Sequence, residues 1–85
     1  MRNKIRTSDY VMTLHAEEEI DAEELSIFDV ERCILTGKIV ECQKDRQTSD
    51  AKYRILGLMV NGDLTEVIAK LGPTAKLYII TAYSI

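Results

Sequence analysis

Asn61-Gly62 separates two apolar runs, KYRILGLMV (Lys52–Val60) and DLTEVIAKL (Asp63–Leu71). Both residues tolerate positive φ, so the pair predicts a β-hairpin closed by a type I′ turn. That hairpin commits its neighbourhood to antiparallel pairing. A second turn signal, Gly72-Pro73-Thr74, leads into KLYIITAY (Lys76–Tyr83). The near-continuous apolar character of that run marks a central or doubly covered strand. Before the hairpin, KIVECQK (Lys38–Lys44) alternates without a clean apolar side and reads as an edge strand. Asp45 to Asp50 is polar and reads as a loop. Gly57 interrupts an otherwise apolar strand, which suggests a bulge or a close approach by another group.

Upstream of Gly37 the periodicity is helical. Thr13 is placed to cap a helix from about Leu14 to Glu23, with a thin apolar stripe of Leu14, Ala16, Ile20 and Leu25. Ser26 and Asp29 have the spacing of a capping box at the start of a second helix. Ile27, Val30, Cys33 and Ile34 form its expected buried face. Gly37 fits the left-handed position that ends many helices. The order predicts an α+β fold, with two N-terminal helices on one face of a four-stranded antiparallel meander. Ile5 offers a short extra strand at the start. A chain of 85 residues has room for one core, so residues 1–85 are expected to form one domain.

Hydrophobic content of 46% and charged content of 29% are those of a soluble globular domain. No apolar run reaches the roughly 20 residues that span a bilayer. The basic N-terminus MRNKIRTSDY is followed by no apolar signal-peptide region. A cytoplasmic location is therefore expected. Cys33 and Cys42 lack CxxC spacing and read as reduced core thiols.

Charge is strongly segregated. Residues 14–31 hold eight acids and no Lys or Arg, whereas residues 1–13 carry a net +2 and residues 32–85 a net +3. Acids repel phosphate within about 8–10 Å at moderate salt. The acidic helix thus disfavours RNA and suits a basic protein partner. An open sheet edge would also suit a protein partner or self-association.

The candidate residues follow. His15, the single histidine, has the pKa range of a general acid/base. The plainer reading is a first-turn histidine packed against the sheet, since no nucleophile can be paired with it from sequence. His15 with Glu18 or Glu19 supplies too few ligands for a metal site, so neither metal nor cofactor is expected. Lys44, Arg46, Lys52 and Arg54, with Tyr53 between, form a weak basic set diluted by Asp45 and Asp50. Strand alternation places Arg54 on one face with Leu56 and Leu58. An arginine there implies either a carboxylate partner, with the acidic helix as one source, or an anionic ligand.

Three motifs taken in order carry a resemblance: His15-Ala16 opening a helix, Ser26-x-x-Asp29-Val30 with Gly37 after it, and Ile80-Thr81-x-Tyr83. With Arg54-Ile55-Leu56-Gly57 between them, they resemble a bacterial family of small domains of unknown function, number 4258 in that series. The resemblance covers roughly residues 10–83. By element order that family is similar to RelE-like and BrnT-like toxins, small ribonucleases of toxin–antitoxin pairs. The toxin analogy implies catalytic roles for His15, Arg54 and Tyr83. The family's first helix typically reads His-Ala-x-x-Arg-Met-x-x-Arg, and here the two arginine positions are Glu19 and Glu23. That exchange reverses the charge a phosphate would need.

The favoured reading is a non-catalytic protein-interaction module, with Glu19, Glu23, Lys52 and Arg54 as binding residues. The alternative is an RNA-cleaving toxin that has lost its helix arginines. If Glu19 and Glu23 face Arg54 and His15, they neutralise the toxin site. If they lie on the far side, the basic sheet face survives.

Overall fold

Thr13 has extended backbone, and its hydroxyl accepts from the Ala16 amide, which starts helix α1 (Leu14–Ala22). The same hydroxyl donates to the Ile79 carbonyl at 2.8 Å, so one side chain both caps the helix and fastens it to the sheet. Ser26 and Asp29 form the expected capping box at the start of helix α2 (Ile27–Thr36). The computed structural model describes residues 10–44, 47, 50–72 and 76–85. Ile5, Arg46 and the Pro73-Thr74 turn lie outside them.

The sheet corrects the expected four-stranded antiparallel meander. It has five strands in the order β1-β5-β4-β3-β2: β1 (Tyr10–Met12), β2 (Lys38–Lys44), β3 (Ala51–Leu58), β4 (Leu64–Leu71) and β5 (Leu77–Ser84). Strands β2 to β5 form the antiparallel meander, and β1 joins β5 in parallel. Three residues are too few to display a two-residue period, so β1 leaves no alternation signal. Its partner β5 is thereby interior, as its apolar run requires. The Tyr10 hydroxyl donates to Glu31 Oε2 at 2.6 Å and ties β1 to α2.

Both helices cover one face of the sheet. Ala16 and Ile20 from α1, Val30, Cys33 and Ile34 from α2, and Ile55, Val67, Ala69, Leu77, Ile79 and Ala82 from the strands make one buried cluster. Strand alternation therefore turns Arg54, Leu56, Glu66 and Ile68 to the opposite, uncovered face. A bulge between Ile79 and Thr81 resets the register of β5 and leaves Tyr83 on that face, level with Glu66. Every residue of β2 is exposed, as an edge strand requires.

Three local expectations change. Gly37 ends α2 with φ −86° and ψ −179°, which is extended backbone, so it is no left-handed cap. It is small because backbone presses on it: a Cβ there would lie 2.5 Å from both the Cys33 and Leu56 carbonyl oxygens. The hairpin is present, but only Gly62 has positive φ (+92°), and Met59 bonds both Gly62 and Asp63. The loop thus has three residues, Val60 to Gly62, with glycine in the last position rather than a two-residue type I′ turn. Finally, Cys42 is exposed and only Cys33 is a core thiol.

Both cysteines are free. The Cys33 thiol lies against the Ile55 and Thr65 carbonyls, and burial pushes its pKa up to about 11. Thiolate is the reacting form, so Cys33 is protected both by burial and by protonation. Iodoacetamide at mildly alkaline pH is expected to modify the native protein once, at Cys42, and the denatured protein twice, as read by intact mass. Equal labelling of both thiols in the native state would contradict this packing.

Candidate functional site

The uncovered face gathers its charges around Glu66. This glutamate sits on β4 between two neighbouring strands and is 8% exposed. A buried carboxylate needs a cation or several donors to stay charged. Arg54 on β3 supplies the cation, with its Nε against Glu66 Oε1. Arg54 stands opposite Ile68, while Glu66 stands opposite Leu56, so the ion pair runs diagonally across the ladder. On the other side Arg54 is directly opposite Glu41 of β2, with Nη1 3.9 Å from Glu41 Oε1. One arginine is therefore shared between two carboxylates.

Tyr83 completes the group from β5, where it pairs in register with Glu66. The neighbouring Glu66 carboxylate raises the Tyr83 pKa, with burial adding to the rise and Arg54 opposing it. A phenol so placed holds its proton more firmly than a free tyrosine does. Beside the group lies a shallow depression of 220 Å³ whose lining includes Glu41, Gln43, Lys52, Arg54, Ile68 and Thr81. Lys52 and Arg54 are its cations, and Glu41 with the adjoining Glu66 balances them. Lys70, on the same face, pairs with Asp50 at 2.8 Å.

Of the residues the toxin analogy names, the fold brings Arg54 and Tyr83 together around Glu66. It does not bring His15 to them. His15 is on α1, which packs on the covered side of β5, and its side chain is 63% exposed beside Glu19 at 3.9 Å. Glu19 and Glu23 also lie on the helical side, and Glu23 accepts from the Ser84 hydroxyl at 2.8 Å. The two glutamates that replace arginines therefore leave Arg54 untouched. Its partners are carboxylates of the sheet, Glu66 and Glu41, and not those of the acidic helix. Glu66 is the residue that the sequence reading passed over, although alternation alone sets it on the face of Arg54.

Among the described residues, no three His, Cys, Asp or Glu side chains converge on a point where a metal ion would sit. Nor, among them, is any helix long and apolar enough to cross a membrane.

This arrangement belongs to a small α+β domain whose polar cluster lies on the uncovered sheet face. The family model titled "Domain of unknown function (DUF4258)" matches residues 12–84, and the chain belongs to that family. No curated protein and no solved structure matches it.

Proposed function

We propose that this domain is a non-catalytic protein-interaction module. The observation that carries the reading is the double engagement of Arg54 by Glu66 and Glu41. An incoming phosphodiester would have to displace two carboxylates from the guanidinium and then sit among them. Desolvating like charges side by side is costly, and the arginine's attraction is already spent. With His15 on the helical side, the acid/base partner that the toxin analogy requires is also absent from the face. Arg54 acts here as a tie between three strands.

The ribonuclease reading draws on one observation of its own. A carboxylate, a guanidinium and a phenol stand together on an uncovered sheet face, and these are groups able to move protons and stabilise charge at a phosphate. A short single-stranded RNA added at low salt separates the two readings. The module reading expects no chemical-shift change at Arg54, Glu66 or Tyr83. Saturable shifts confined to these residues would favour the ribonuclease.

A further inference from the structure

Among the described residues, four of the ten exposed large apolar side chains lie at the end of the molecule that holds the β3–β4 hairpin and Ile85. Leu58 and Leu64 form a cross-strand pair at 38% and 49% exposure, and Val60 in the hairpin loop is 64% exposed. Ile85, whose amide bonds the Leu64 carbonyl, is 69% exposed.

The same end carries an open cleft of 640 Å³ between the α1–α2 junction and the β3–β4 hairpin. Leu25, Met59, Leu64 and Ile85 supply its apolar lining. Its charged groups are Glu23, Glu24, Asp29 and Asp63, and among the described residues no Lys, Arg or His lines it. Asp29 is firmly ionised, since its carboxylate accepts from the Val60 amide and from Ser26, which lowers its pKa. The acids of α1, Glu17, Glu18 and Asp21, extend the negative field beyond Glu23.

We propose that this cleft is a docking site for a basic amphipathic segment of a partner protein. Apolar side chains of the segment cover Leu64, Ile85 and the accessible part of Leu25, and its lysines or arginines meet the carboxylates around them. Charge decides the occupant. An acidic or neutral apolar segment would bury these carboxylates without compensation, and a second copy would bring the same acids against them. The inference rests on the interaction-module reading and names the surface and partner class for it.

The test uses a synthetic Leu/Lys peptide of about 15 residues with leucines at helical spacing. A Leu/Glu peptide of the same pattern and a scrambled Leu/Lys peptide serve as comparisons. Binding is followed by fluorescence anisotropy and by amide shifts. The patterned Leu/Lys peptide is expected to bind more tightly than either comparison, with shifts at Met59, Leu64 and Glu24. Leu64→Lys and Glu24→Lys, both at exposed positions, are each expected to weaken it about tenfold, whereas Ile39→Lys on the edge strand leaves it unchanged. Equal binding of the scrambled peptide, or indifference to Leu64→Lys, would overturn the proposal. So would a concentration-dependent dimer in sedimentation that Leu64→Lys abolishes, because the occupant would then be a second copy. A cleft that fails while the sheet face stays inert toward RNA removes this site and leaves the module reading standing; RNA binding at Arg54 removes the module reading itself.

Discussion

Gly57→Ala is expected to cost about 3 kcal/mol or more. A chain this small has a total stability of order 5 kcal/mol, so the substitution would remove more than half of its margin. The reason is a contact between backbones. A Cβ on Gly57 would lie 2.2 Å from the Cys33 carbonyl oxygen, 2.9 Å from the Cys33 carbonyl carbon and 2.9 Å from the Gly37 Cα. None of these atoms belongs to a side chain that can rotate away. Helix α2 would have to lift from β3, and Val30, Cys33 and Ile34 would lose their packing. The strand carries no left-handed residue here, so the glycine serves close approach rather than backbone freedom. Gly72→Ala is the comparison, since its nearest new neighbour is the Asp50 side chain at 3.6 Å. Urea midpoints should drop sharply for Gly57→Ala and hardly move for Gly72→Ala. Similar midpoints for both would show that α2 does not seat on β3 as described.

The second large effect falls on Arg54. Removing one member of a fully buried ion pair costs about 3–5 kcal/mol, mostly because the other charge is left uncompensated. Glu66 is that buried charge, but the Arg54 side chain is 47% exposed and water can partly replace it. Arg54→Ala is therefore expected to cost about 2 kcal/mol. Replacing both residues together, Arg54→Met with Glu66→Met, is expected to restore most of the loss, because no charge is then buried alone. Urea unfolding of the two singles and the double gives the coupling directly. An Arg54→Ala variant as stable as the parent would mean that the guanidinium is free for a ligand and that the structural role assigned to it is wrong.

Local signals in the sequence were strong wherever one side chain decides the backbone. Thr13 and Ser26 cap the helices they were expected to cap, and the polar alternation of Lys38–Lys44 marks the edge strand. Signals failed where the cause lies in tertiary contact. Strand β1 is only three residues long, and its parallel pairing with β5 spans most of the chain. Gly37 follows a helix and so resembles a left-handed cap, yet its smallness answers to Gly57 across a layer boundary. The hairpin was legible, but its loop type was not, because Val60 looks like a strand residue and becomes the first residue of a three-residue loop.

The functional face was legible in part. The position of Arg54 beside leucines signals a purpose, and Tyr83 shares its sheet face. The sequence offers Arg54 a carboxylate of the acidic helix or an anionic ligand, since eight acids in one segment overshadow one in a strand. Glu66 is flanked by Thr65 and Val67 and has no motif around it. Only the β3–β4 register, which the hairpin sets, brings it diagonally to Arg54.

The structural role of Arg54 is tested most directly by RNA binding and cleavage with the purified protein at low and moderate salt, with Arg54→Ala beside it. No cleavage and no saturable binding are expected even at low salt, with the parent and Arg54→Ala differing only in stability. Salt-sensitive binding accompanied by cleavage that disappears in a folded Arg54→Ala variant would contradict it, and would make Glu66, Arg54 and Tyr83 a working ribonuclease site.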